Sequence, residues 1–152
     1  ETHEVSVTFM AKPTTEEAGS SSHLHLSLWD LDARTNVFAD GGERSDVFRW
    51  FLGGWMAGAA DFMAFYAPTI NSYKRYVVGT FAPTKAIWSM DNRTAGYRIC
   101  GENTTAVRIE CRVGGSDLNP YLALAARFAS FARHERKWGS RGMQWPPTPG
   151  PG

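Results

Sequence analysis

Only two of the 152 residues are cysteine, Cys100 and Cys111. That excludes a disulfide framework, and the absence of any Cys-x-x-Cys spacing excludes a thiolate metal site. A reducing, cytoplasmic setting is the resulting expectation. Long apolar runs are also missing: no stretch reaches the roughly 18 apolar residues of a membrane span. Residues 1–10 alternate and carry charge, unlike a signal peptide. Neither sign of charge dominates. Sixteen Lys and Arg against fifteen Asp and Glu give a formal net charge of +1, so no global basic field points to nucleic acid, and any anion site has to be built locally. No internal repeat occurs. What remains is a chain with 43% hydrophobic residues, long enough for one domain with a real core.

Alternating and helical patterns follow one another along the chain. "EVSVTFM" (4–10) alternates Val5, Val7 and Phe9 and predicts a strand. Residues 12–22 are loop chemistry, rich in Ser, Thr, Gly and Pro. "HLHLSLWD" (23–30) predicts a second strand, with Leu24, Leu26 and Leu28 on one face and His23, His25 and Ser27 on the other. Residues 33–42 read as a turn or hairpin. From Ser45, an N-cap, to Pro68 the periodicity is helical, and Gly53, Gly54, Ala57 and Gly58 predict close packing against another element. Residues 69–98 read as irregular. "AVRIECRVGG" (106–115) predicts a strand, and Asn119 with Pro120 opens a last helix with a buried stripe of Tyr121, Leu122, Leu124, Ala125 and Phe128. Strands and long helices kept apart in this way predict an α+β fold, an antiparallel curved sheet with flanking helices.

Two groups of residues could carry chemistry. His23 and His25 share a strand face beside Ser27, which suits a metal or a phosphate as well as a structural role. Arg108, Glu110 and Arg112 share another strand face. A carboxylate between two guanidiniums stays ionised and can take a hard cation, while the guanidinium forks suit phosphate or carboxylate. A solvated charged face is the plain alternative. Arg75, Arg93 and Arg98 lie among apolar anchors instead of in a charged run, as befits a pocket for a small polyanion. The residues alone therefore describe a site for a metal–nucleotide and an acidic substrate, built from Arg, His and Glu on neighbouring strands.

Six blocks in order resemble the catalytic domain of the glutamine synthetase family: "TFMAKP" (8–13), "GSSSHLHLSLWD" (19–30), "YAPTINSYKR" (66–75), "DNRTAGYR" (91–98), "VRIECR" (107–112) and "DLNPYLALAA" (117–126). The resemblance implies ATP-dependent ligation, in which glutamate's γ-carboxylate is phosphorylated and ammonia or an amine attacks the γ-glutamyl phosphate. It assigns glutamate binding to Gly19, His23, Arg75 and Arg112, and ATP binding to His25, Ser27, Arg98 and Arg108. Arg93 would stabilise the transferring phosphoryl group, and His23 with Glu110 would hold Mg²⁺ or Mn²⁺. It also implies a homo-oligomeric ring in the full-length protein, with no nucleic-acid or membrane partner.

The departures carry information. Six residues beyond Arg75, where glutamine synthetases usually carry a glutamate that closes the site and helps deprotonate ammonium, stands Phe81. Phe cannot accept a proton, so the acceptor expected is an amine, as in the γ-glutamyl amine and polyamine ligases of the family. Ala18 stands where an Asn is usual. The family's remaining metal-binding glutamates are not found in residues 1–22. Residues 1–138 are accordingly expected to be a partial glutamine synthetase catalytic domain, inactive in isolation, and 139–152 a Pro/Gly-rich tail. A true glutamine synthetase with a different ammonium site and a degenerate, non-catalytic relative are the alternatives.

Overall fold

The computed structural model describes residues 3–138, with side chains described as far as Phe131. The 139–152 tail lies outside them. The fold is α+β, as the patterning predicts. Its centre is a four-stranded sheet in the order β1 (Leu24–Leu26), β8 (Arg108–Cys111), β7 (Tyr97–Cys100), β6 (Trp88–Met90). Two short ribbons flank it, β2 (Trp29–Asp30) with β3 (Thr35–Asn36) and β4 (Ala39–Asp40) with β5 (Glu43–Arg44). The helices are α1 (Asp46–Ala57), α2 (Ala59–Tyr66), the single turn α3 (Ile70–Tyr73) and α4 (Pro120–Trp138).

The register sets which side chains share a face. β8 pairs antiparallel with β1 and β7, placing His25, Glu110 and Arg98 in one cross-strand row. The neighbouring rows, Leu24–Cys111–Tyr97 and Leu26–Ile109–Ile99, point the other way. Because side chains alternate across a sheet, one face is charged and the other apolar. β6 joins β7 in parallel, through residues 91–96 alone, where a parallel connection ordinarily takes a dozen or more. Asp91 makes the short return possible by adopting a positive φ of 46°, a conformation Asp tolerates better than most side chains. The side chain of Asn92 then accepts from the Thr94 N–H and hydroxyl.

The apolar face packs on the helices. Phe38, Phe48, Phe51, Leu52 and Trp55 meet Tyr97, Ile99, Ile109 and Cys111 in one core. Polar tips inside it are satisfied: the Trp55 indole donates to Tyr66 Oη at 2.9 Å, and Tyr97 donates to the Trp55 carbonyl at 3.3 Å. Ser45 caps α1 through the Phe48 N–H, as its sequence position predicts. The single helix predicted over 45–66 is broken at Gly58. A Cβ there would lie 2.5 Å from Phe62 Cζ and 3.3 Å from Ser130 Oγ, so this glycine lets α4 approach closely. Ser130 completes the contact by donating to the Gly54 carbonyl at 2.8 Å.

That closeness overturns the predicted stripe of α4. Tyr121, Leu122 and Phe128 are exposed, and the buried positions are Ala123, Arg127 and Ser130, because a face built against glycines admits small side chains and excludes bulky ones. Arg127 is the exception. It is fully buried, its guanidinium 3.5 Å from the centroid of Phe51 and 4.9 Å from that of Trp55. One Nη donates to the Phe51 carbonyl, while Nε and the other Nη are buried without a partner. The predicted strand over 4–10 is also absent. Val5, Val7 and Phe9 are all exposed, and alternation without a neighbouring strand leaves the backbone nothing to pair with.

Candidate active site

The charged face of the sheet centres on Glu110, whose side chain is only 2% exposed. Four cationic or cationisable groups converge on it. Arg112 Nη1 donates to Oε1 at 2.7 Å and Arg98 Nη1 to Oε2 at 3.0 Å. His23 Nδ1 lies 3.0 Å and His25 Nε2 3.6 Å from Oε1. Burial alone would push the Glu110 carboxyl up, but the Arg98 hydrogen bond and the charges of Arg112, His23 and His25 outweigh it and hold the pKa below the ordinary value. Both histidine pKa values are lowered as well, which for imidazole favours the uncharged form. For His23, burial and then the nearby Arg112 charge lower the pKa; for His25, burial outweighs the pull of Glu110. They are therefore neutral near pH 7, the form that ligates metals. His25 Nδ1 accepts from Arg108 Nε at 3.3 Å, and Ser21 Oγ lies 2.9 Å from His23 Nε2.

The row of charges predicted on 108–112 is thus the floor of a cluster. Arg108, Glu110 and Arg112 alternate with the buried Ile109 and Cys111. His23, His25, Arg98, Arg108, Glu110 and Arg112 come together on one face. Arg98 is steadied from the side by Asp91, which takes its Nε at 2.9 Å and an Nη as well. Ser27 lies one step along the same alternation as His25 and accepts from the Trp29 indole at 3.0 Å.

Arg75 sits at the end of the cluster rather than within it. Its Nη2 donates to the Val113 carbonyl and to Gly114 at 3.0 Å, and its guanidinium stands 5.0 Å from the Tyr76 ring centroid. Local sequence explains the placement. Thr69 and Ser72 form a capping box around α3, and both hydroxyls donate to Asp117 Oδ2, at 3.0 and 2.6 Å. That pins the turn from which Arg75 reaches the strand end. Gly19 fits against it: a Cβ there would lie 2.7 Å from Arg75 Cγ and 2.5 Å from the Ala11 carbonyl. Arg93 stands apart, exposed in the turn between β6 and β7.

Three contributors escape a reading of sequence alone. Asp91 positions Arg98; the Asp in "DNR" is its only signal. Asp117 positions α3. Cys100 lies on the charged face with its Sγ 3.9 Å from Glu110 Oε2. Once Arg98 is placed on that face, period-two counting finds Cys100 too.

Chemically the face offers several guanidiniums against two carboxylates, a preorganised surface for anions. Among the described residues, no group of three or more His, Cys, Asp or Glu side chains is arranged to hold a metal ion. His23 and Glu110 supply one nitrogen and one carboxylate donor. This donor set fits a Mg²⁺ or Mn²⁺ that completes its shell with water and substrate phosphates.

Comparison with known proteins bears on the family of the chain. Residues 1–133 match the model of the glutamine synthetase catalytic domain. The chain is 49% identical over 126 residues to a γ-glutamylethanolamide synthetase of Streptomyces coelicolor, covering 83% of the chain and 27% of that protein. It is 44% identical over 133 residues to a γ-glutamylputrescine synthetase of Escherichia coli, covering 86% and 28%. The cryo-electron-microscopy structure of Plasmodium falciparum glutamine synthetase superposes with a TM-score of 0.78 at 28% identity, covering 86% of this chain and 26% of that one. The chain therefore spans about a quarter of the length of the relatives it matches. With the family model covering nearly all of it and the charged face of the sheet in place, the chain belongs to the glutamine synthetase family.

Proposed function

We propose that this chain forms the glutamate- and nucleotide-facing part of a ligase that uses ATP to join the γ-carboxylate of glutamate to an amine. The observation that supports this best is the convergence of Arg98, Arg112, His23 and His25 on the buried Glu110, with further guanidiniums at its edges. A γ-carboxylate oxygen attacks the terminal phosphorus of ATP and ADP leaves. The amine nitrogen, as its free base, then attacks the γ-carbon; phosphate departs with the transferred oxygen, and the proton lost from nitrogen passes to that phosphate or to water. Such chemistry needs positioning and charge neutralisation more than covalent help.

In this reading Arg112 and Arg75 orient glutamate, with Gly19 leaving room beside Arg75. His25, Ser27, Arg98 and Arg108 face the nucleotide, and Arg93, exposed in its turn, neutralises the phosphoryl group in flight. His23 and Glu110 hold Mg²⁺ or Mn²⁺, which when bound shields the charge of the ATP phosphates. A homo-oligomeric ring and a cytoplasmic setting belong to the same proposal and rest on the family resemblance and the scarcity of cysteine.

Phe81 favours an amine over ammonia, since its ring cannot attract ammonium and only an amine carries a substituent that an apolar ring can cover; two of the relatives are named for amine products. In a full-length ligase containing these residues, product formation from glutamate and ATP is expected with amines and to be weak with ammonia. Phe81→Glu is expected to raise the ammonia reaction about tenfold or more, a fraction of the roughly hundredfold or greater effect of a fully positioned base. Strong turnover with ammonia alone by the unaltered enzyme would contradict the amine preference and favour a glutamine synthetase whose ammonium site is built differently. No turnover with any acceptor would favour a non-catalytic relative.

A further inference from the structure

One nitrogen of Arg112 stands against both groups assigned to the metal. His23 Nδ1 and Glu110 Oε1 are 3.0 Å apart. Arg112 Nη1 lies 2.7 Å from Oε1 and 3.5 Å from Nδ1, so it closes a triangle with them. In the imidazole tautomer that can ligate through Nδ1, the proton sits on Nε2, which then donates to Ser21 Oγ at 2.9 Å. Nδ1 and Oε1 are in that form two lone-pair acceptors side by side. They need positive charge next to them, and Arg112 supplies it.

The two arginines on Glu110 are not equivalent. Arg98 bonds Oε2, while Asp91 takes its Nε and an Nη. Without Glu110, Arg98 would still have a carboxylate. Arg112 bonds Oε1, and Glu110 is its one carboxylate partner among the described residues. Arg112 is buried, and its Nε has no partner. A cation reaching His23 and Glu110 meets the Arg112 guanidinium first, and like charges at that separation repel. Arg112, once displaced, is a buried charge without a counter-charge, which costs free energy until an anion reaches it. A carboxylate suits its planar fork.

We propose that Arg112 is the resident cation of this site. It holds His23 and Glu110 together until it yields its place to a divalent cation, and its released guanidinium then takes the carboxylate of an anionic substrate. The proposal rests on the metal reading given above. Cation and carboxylate are thereby coupled, each favouring the other by the same factor.

The test is a Mg²⁺ titration of the 152-residue chain at low ionic strength, followed by NMR at the side-chain N–H signals of Arg98 and Arg112 and the ring signals of His23. Mg²⁺ is expected to shift the His23 signals and to speed exchange of the Arg112 N–H protons with water about tenfold, leaving those of Arg98 as they were. Glutamate is expected to shift the Arg112 signals once Mg²⁺ is present and not before. Arg112→Gln removes the competing charge and is expected to bind Mg²⁺ about tenfold more tightly, the low end of what a hydrogen bond to a charged group contributes. Arg112→Lys keeps the charge and is expected to bind no more tightly than the parent. Mg²⁺ binding at His23 that leaves Arg112 unmoved, or that frees Arg98 instead, would overturn this inference and leave the metal reading standing. Equal Mg²⁺ affinity of Arg112→Gln and the parent would do the same, as would glutamate shifting Arg112 equally without Mg²⁺. Failure of Mg²⁺ to shift the His23 signals in either protein would overturn both.

Discussion

Glu110→Ala is expected to destabilise the fold by about 3–5 kcal/mol, the loss that follows when one partner of a buried charge network is removed. Arg112 and Arg98 would face each other across the vacated space, with His23 and His25 alongside and no carboxylate to hold them. Against the 5–15 kcal/mol that stabilises an ordinary domain, this is a large share. Urea denaturation followed by tryptophan fluorescence gives the number. The pH dependence identifies the cause. Glu110 has its folded pKa below the ordinary 4.5, so its contribution is fully present above that value and is lost as the pH falls through the lowered one. The stabilities of the parent and variant are therefore expected to lie far apart at pH 7 and to converge as the pH falls below 4.5. A constant gap across that range would mean that the loss comes from packing and not from charge.

Arg127→Met has the opposite expected sign. Arg127 is buried on α4 with two of its nitrogens unpartnered and no carboxylate near it among the described residues. Burial disfavours its charge and pulls its pKa down. The stacking on Phe51 and Trp55 and the single carbonyl bond offset part of that loss. Methionine keeps much of the stem, fills irregular space and carries no charge. It is expected to stabilise the chain by about 1–3 kcal/mol, in line with apolar replacement of buried charges. Thermal unfolding would show this as a rise of roughly 3–10 °C. A fall in stability would mean that the ring contacts outweigh desolvation.

These two residues also mark what the sequence makes legible. Glu110 is readable because its strand alternates, and period-two alternation assigns faces without any knowledge of neighbours. The identity of those neighbours is not readable in the same way. That His25 and Arg98 share its row depends on register, which is set by the packing of Leu24, Leu26, Ile99 and Ile109 on the far face. The resemblance to a family brought the same residues into one site by motif alone, without saying how they touch.

Arg127 shows the reverse case. Helical periodicity places Tyr121, Leu122 and Phe128 inside, yet the helix turns its small residues inward because Gly54 and Gly58 bring α1 and α2 so near. Whether a helix face is buried depends on the partner surface as well as on its own hydrophobicity. The 4–10 segment makes the same point for strands: Val5, Val7 and Phe9 alternate well but have no adjacent strand. Phe81, by contrast, was informative as a single substitution, because the chemistry it removes is specific: a proton acceptor.

The central claim is that a γ-carboxylate oxygen of glutamate is phosphorylated on this charged face. Oxygen transfer tests it most directly. In a full-length ligase containing these residues, glutamate labelled with ¹⁸O in its γ-carboxylate is incubated with ATP and an amine, and the released phosphate is analysed by mass spectrometry. One labelled oxygen is expected in the phosphate for every γ-glutamyl amide formed. Amide formed with unlabelled phosphate would contradict it.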